Sequence, residues 1–182
     1  GLAAYWFRSH SREGHREALQ LVVQRGAADL LVPVAEARAD VNCVFEHCYF
    51  RTPLHRAASR GNLEVCGLLL LLRADASRRD SYGAAPLHLV ASKGRMPIME
   101  LLLQHGPAHA GAADFGGRTP CHMAALKGHL GAVQRLVRAR ADAAAQALDG
   151  RTPLDMARRG QHARVIGYLE GLQRQAEADG EA

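Results

Sequence analysis

One eight-residue stretch, Arg51-Thr52-Pro53-Leu54-His55-Arg56-Ala57-Ala58, returns three more times in altered form. Ala85-Pro86-Leu87-His88-Leu89-Val90 is the second copy and Thr119-Pro120-Cys121-His122-Met123-Ala124-Ala125 the third. Thr152-Pro153-Leu154-Asp155-Met156-Ala157 is the fourth, and the copies begin 33, 34 and 33 residues apart. A fixed period of this size marks one supersecondary unit stacked several times. Such a stack has no central core, because each unit buries its apolar face only on its neighbours.

Each copy reads as a helix start. A threonine hydroxyl at the N-cap accepts a bond from a backbone N–H that the first turn leaves free. Proline at the first helical position sacrifices no bond, and its ring already holds a helical φ. The Leu and paired Ala then form a small apolar face that lets neighbouring helices approach closely. Gly61, Gly94 and Gly128 follow nine residues after the capping position, and Gly160 one residue early. Glycine there suits a left-handed helix end. A second apolar run follows each glycine, from Leu63 to Leu70, Ile98 to Leu103, Leu130 to Val137 and Val165 to Leu169. The spacing predicts a second helix in each. A polar loop such as Ala74-Asp75-Ala76-Ser77 or Ala141-Asp142-Ala143-Ala144 closes the unit.

On the Thr-Pro-Leu-His core, the inter-helix glycine, the leucine run and the terminal Ala-Asp pair, the chain resembles the ankyrin-repeat family. The resemblance covers about residues 15 to 172. It implies an all-α, right-handed solenoid of antiparallel helix pairs with projecting hairpin loops. It also implies protein binding without catalysis, on a concave face lined by the first helices and the hairpin tips. The expected organisation is an aromatic extension over 1–14, repeats over 15–46, 47–80, 81–114, 115–148 and 149–172, and a polar tail over 173–182. The tail has no periodicity and reads as frayed. Trp6 and Phe7 either cap the first repeat or dock into a partner; capping is the simpler reading, since terminal repeats need their apolar face covered.

The first repeat is degenerate. Glu17-Ala18-Leu19-Gln20 replaces the Thr-Pro-Leu-His core, and Pro33 falls in the second helical segment, where it kinks the chain if it lies past the first turn. In the third repeat Ala85 lacks the capping hydroxyl, at a local cost of about 1 kcal/mol. Pro97 is tolerable in a first turn, and the turn over 106–111 gains a residue. From Asn42 to Thr52 the chain is two residues longer than in the equivalent loops. The extra residues lie between Cys43 and Phe50, so Phe45, Tyr49 and Phe50 are expected at an apolar tip. An apolar surface tip often marks a contact site.

The chain carries 23 Lys and Arg against 18 Asp and Glu, a formal net charge of +5, and all but Lys93 and Lys127 of the bases are arginine. Arginine forks pair carboxylates and phosphates, although a biased composition accounts for the excess equally well. On the implied concave face Arg60, Lys93, Lys127 and Arg159 form a basic ladder with Arg56 beside it. Arg51, Tyr82, Phe115, Arg118, Leu148 and Arg151 add aromatic and basic loop surface of the kind that binding hot spots use; a merely solvated polar edge is the alternative. The expected partner is a protein segment, acidic or phosphorylated. The alternatives are a place inside a larger multi-subunit assembly and, less favoured for lack of dense charge or a reading motif, nucleic acid.

Chemistry is not expected. His55, His88 and His122 recur once per repeat, about 10 Å apart, too far for the ~2 Å bonds of a shared metal, and the resemblance gives them a structural hydrogen-bonding role. Cys43, His47 and Cys48 are a weak zinc candidate with one ligand too few. No nucleophile elbow, phosphate loop or paired carboxylates occur, so neither an enzyme nor a cofactor is expected. The four cysteines lack disulfide-scaffold spacing. Cys66 and Cys121 read as core residues, and a reducing intracellular compartment is expected. Asn42, after Ala39-Asp40-Val41, looks like the asparagine that some ankyrin proteins have hydroxylated.

Overall fold

The computed structural model describes residues 12–105 and 110–180 of the chain. The aromatic extension around Trp6 and most of the widened turn over 106–111 lie outside these residues. The described residues form five helix pairs. The first pair is α1 (Arg12–Arg25) and α2 (Leu31–Glu36), and the second α3 (Pro53–Arg60) and α4 (Leu63–Leu71). They are followed by α5 (Pro86–Lys93) with α6 (Met96–His105), then α7 (Pro120–Leu126) with α8 (Leu130–Arg138). The last pair is α9 (Pro153–Arg159) and α10 (Ala163–Gly180). First helices pack on first helices, α3 on α5 on α7 on α9, and second helices run alongside in the same order. This is the expected all-α solenoid.

The core is a continuous seam between these rows. The inner helices contribute Leu54, Ala57 and Ala58, then Leu87, Val90 and Ala91, then Cys121, Ala124 and Ala125. The outer helices supply the larger Val65, Leu69, Ile98, Met99, Leu102 and Leu136. Cys66 and Cys121 are fully buried, and burial pushes both thiols up to about 12.

Two features correct the sequence reading. Gly160 is right-handed, at φ −81°, and the left-handed residue is Gln161, at φ 56°. Gln161 is the residue in register with Gly128, so the stack imposes the conformation by position rather than by residue type. The tail is also not frayed from Gln173: α10 continues to Gly180. Its Gln, Arg, Ala and Glu residues are good helix formers, and no further hairpin among the described residues breaks it. In the first repeat, α1 begins at Arg12, inside the expected extension. Pro33 stands at the third position of α2, within its first turn, and a short 3₁₀ segment over Ala28–Leu30 absorbs the irregularity ahead of it.

The second to fifth repeats are joined by the recurring histidines. His55, His88 and His122 are almost wholly buried. Nδ1 of each ring accepts the backbone N–H three residues earlier, from Thr52 at 3.3 Å, Ala85 at 3.1 Å and Thr119 at 3.1 Å. The proton therefore sits on Nε2. From there it is donated to the next hairpin's backbone, at the carbonyls of Ala84 (2.9 Å), Arg118 (3.1 Å) and Arg151 (3.0 Å). Asp155 takes the same position in the last pair and accepts from the Thr152 N–H at 2.9 Å and hydroxyl at 2.8 Å. A carboxylate cannot donate onward, and no described hairpin lies beyond α9 to receive.

Another ladder runs the opposite way. His129 Nε2 donates to Ser92 O at 3.2 Å and His162 Nε2 to Leu126 O at 3.0 Å, each reaching back one repeat. Both rings lie over a left-handed glycine. A Cβ at Gly94 would stand 2.7 Å from the His129 ring, so that glycine serves both the turn and the ring. These histidines went unrecognised in the sequence, although they stand in register with Asn62 and Arg95.

Two outcomes follow. Ala85 sits in the same buried surroundings as Thr52 and Thr119 but lacks their hydroxyl. Ala85→Thr is expected to raise stability by about 1 kcal/mol, read as a higher urea midpoint. Burial lowers His55 to about 4, against the opposing pull of the Ala84 carbonyl and Asp80, and burial moves His88 and His122 the same way. The fold thus keeps these rings neutral while the unfolded chain takes up protons below about pH 6.5. Stability is complete above that pH and lost as pH falls toward 4. His55 alone is expected to remove about 2 kcal/mol between pH 7 and pH 5, and urea unfolding across that range with no loss would contradict the arrangement.

Candidate functional site

Four hairpins stand at the ends of the first helices. Each closes with one backbone bond: Phe45 N–H to Arg51 O, Asp80 to Ala84, Asp114 to Arg118 and Ala147 to Arg151, all 2.9 Å. Neighbouring hairpins bond to one another through Ser81 N–H to Tyr49 O, Phe115 N–H to Tyr82 O and Leu148 N–H to Gly116 O. The tips therefore form one continuous edge beside the row of inner helices. Five residues intervene between Phe45 and Arg51, against three in each later hairpin, which locates the extra two. Tyr49 and Phe50 both adopt left-handed backbone, at φ 59° and 54°.

Phe45 does not project from the tip. It is 2 % exposed, under the turn, with the Arg56 guanidinium 5.9 Å from its ring centroid. It occupies the register position that Asp80 and Asp114 hold in the next hairpins, and those residues are buried too. Tyr49, Phe50, Tyr82, Phe115 and Leu148 are exposed, and the Tyr49 and Tyr82 rings lie 5.4 Å apart. The apolar edge is thus present without its first expected member.

The loop arginines are partly committed to the hairpins. Asp80 accepts the N–H groups of Tyr82 (2.9 Å) and Ala84 (3.1 Å) and takes Arg51 Nε at 3.1 Å. Asp114 accepts from Gly116 at 2.8 Å and from the Arg118 backbone and Nε, both at 2.9 Å. Arg118 therefore serves its own hairpin. Arg51 serves the next one, because Ala84 stands where that hairpin would carry its own arginine. Arg151 makes a looser 3.5 Å pair with exposed Asp149. The two buried aspartates were not singled out in the sequence, although each stands four residues ahead of the loop's closing position.

Arg60, Lys93 and Lys127 are exposed at equivalent positions, at the ends of α3 and α5 and just past α7, and Arg159 on α9 is exposed one position earlier in its repeat. None is in an ion pair among the described residues. Helix packing sets them about 10 Å apart. Arg158, one residue before Arg159, instead turns to Glu170 on α10 at 2.9 Å.

Cys43 and the His47–Cys48 pair fall into separate clefts. Cys43 lines one with His15, Arg16 and Asp40, while His47 and Cys48 line the one beside Arg56. No three metal-ligating side chains come together among the described residues. Asn42 clamps two repeats, donating Nδ2 to Arg73 O at 3.3 Å and accepting the Asp75 N–H at 2.7 Å.

The family model described as "Ankyrin repeats (3 copies)" matches residues 69–147, and "Ankyrin repeat" matches residues 49–81. The chain is 31 % identical over 125 residues to a protein of Hydra vulgaris named "Tyrosine-protein kinase HTK16". That match covers 65 % of this chain and 16 % of the Hydra protein, so it spans about a sixth of that relative's length. No helix of the described residues is long and apolar enough to cross a membrane.

The two kinds of tip residue respond differently to truncation. Phe45→Ala is expected to cost roughly 3 kcal/mol by removing a buried ring. Leu148→Ser, at an 81 % exposed position, is expected to shift stability by less than about 0.5 kcal/mol. Chemical unfolding of the two variants measures both.

Proposed function

The chain belongs to the ankyrin-repeat family, and on that premise we propose that it is a non-catalytic adaptor whose inner face holds an acidic segment of another protein. Ankyrin repeats generally mediate protein–protein interaction. The observation that carries the finer reading is the row of exposed, unpaired cations at Arg60, Lys93, Lys127 and Arg159. Charges of one sign along a groove steer an oppositely charged segment and set its register. The exposed edge of Tyr49, Phe50, Tyr82, Phe115 and Leu148 supplies apolar contact beside it, with Arg51, Arg118 and Arg151 at its border. One charge per repeat is sparse against the phosphate spacing of a nucleic acid duplex, which favours an extended peptide.

That apolar edge also supports a second reading, in which the chain is a subunit of a larger assembly and the edge is covered there.

The test is a panel of extended Asp/Glu-rich peptides measured by fluorescence anisotropy. The wild type is expected to bind with an affinity that falls as salt rises. Arg60→Glu, Lys93→Glu and Lys127→Glu together are expected to weaken binding at least about tenfold with the helical circular dichroism intact. Equal binding by wild type and triple variant would remove the acidic-segment reading.

A further inference from the structure

The lengthened first hairpin builds a cleft that the ladder alone does not explain. Its cavity of about 220 Å³ lies between residues 47–51 and α3, and Arg51, Arg56 and Arg60 all line it. His47, Tyr49 and Ser59 complete most of the wall. Arg56 and Arg60 are four residues apart on α3 and so share one helix face. Arg51 comes in from the closing position of the hairpin.

The cleft is positive and stays so. No carboxylate lines it. Glu46, adjacent in the chain, is paired with Arg16 at 3.1 Å. Asp80 takes Arg51 through Nε, matching one of the three guanidinium charges. The Arg56 guanidinium is held by the Cys48 sulfur and by the face of Phe45. A thiol and a ring position an arginine without neutralising it, and a guanidinium has five N–H donors, more than those contacts use. Arg60 is exposed and makes no ion pair among the described residues. Two uncompensated charges therefore converge on one small cavity.

A single carboxylate answers one such charge. A phosphomonoester brings a charge of about −1.5 to −2 near neutral pH and three acceptor oxygens, and planar guanidinium forks bind such oxygens two at a time. The geometry points to a phosphate-binding pocket of Arg51, Arg56 and Arg60 that receives a phosphorylated side chain of the protein segment lying in the groove. This rests on the groove reading and adds to it a defined anchor at the N-terminal end of the ladder. The pocket belongs to this repeat because the two extra loop residues carry the turn back over α3, as the contact of Cys48 with Arg56 shows.

The test uses the full chain, isotopically labelled, titrated in separate NMR experiments with N-acetyl-phosphoserine amide, N-acetyl-glutamate amide and inorganic phosphate. Phosphoserine amide is expected to give saturable shifts confined to the amides of residues 47–60, with at least fivefold tighter binding than the glutamate compound. It should also bind more tightly than inorganic phosphate, because the peptide portion reaches the hairpin wall. Arg56→Gln and Arg60→Gln should each weaken it at least fivefold, with melting temperatures that show both variants folded. Arg56→Lys, which keeps the charge and loses the fork, should fall between. Equal affinity for phosphoserine and glutamate compounds, tighter binding of inorganic phosphate, shifts spread evenly to Lys93, Lys127 and Arg159, or indifference to Arg56→Gln would each overturn the pocket. Arg56 is outside the triple charge reversal, so the pocket can fail while the groove stands, and the acidic-peptide panel reports on the groove separately.

Discussion

A neutral, buried imidazole links the second, third and fourth repeats each to the next by giving one nitrogen to its own turn and the other to the following hairpin. The bond counts twice. Within the repeat it closes the helix start, because Nδ1 takes a backbone N–H that the helix leaves without a partner. Between repeats it gives a second donor to the carbonyls of Ala84, Arg118 and Arg151, each of which already accepts its own hairpin's closing N–H, and so fastens that hairpin to the preceding helix. A buried ring that lost either partner would leave a ring nitrogen unsatisfied away from water, at a cost above that of the single bond. The stack thus depends on three rings remaining neutral. Where a described hairpin no longer follows, the ring gives way to Asp155, which completes the local half of the contact and needs no onward acceptor.

Small and large residues divide the packing. Small residues on the inner helices, Ala57 and Ala58, Ala91, Ala124 and Ala125, and Ala157, let α3, α5, α7 and α9 lie close, and the larger residues of the outer helices fill the seam behind them. Closeness on the inside brings the helix ends into register, and register sets one cation per repeat in a row. The hairpins work differently. Asp80 and Asp114 are buried and gather both backbone N–H groups and an arginine, so the loop cations are largely spent on holding the edge together. Arg60, Lys93, Lys127 and Arg159, and Arg56 in the cleft, are paired with no carboxylate among the described residues.

Much of the architecture is legible because its signals are local. Threonine, proline and glycine act within a few residues, and their recurrence every 33 or 34 residues gives the number and order of the helix pairs. The ladder of Arg60, Lys93 and Lys127 follows from the same register, and Arg159 joins it from one position earlier in its repeat. His129 and His162 were equally in register, yet they occupy a position filled elsewhere by Asn62 and Arg95, so no repeated residue type signalled them. Gln161 shows the converse, a residue with no preference for left-handed backbone that adopts it at the place where Gly61, Gly94 and Gly128 stand in the other repeats.

The period, the helix starts, the apolar runs of each helix and the excess of positive charge were determined by the sequence alone, since each depends on residues close together in the chain. Tertiary structure alone decided that Phe45 turns inward while Tyr49 and Phe50 turn out, and that Arg51 crosses to the next hairpin's aspartate. Those outcomes depend on which repeat lies alongside and which carbonyl or carboxylate it presents. In a solenoid every unit completes its burial and its hydrogen bonds on the unit beside it, so the final direction of a loop side chain is set from about 30 residues away.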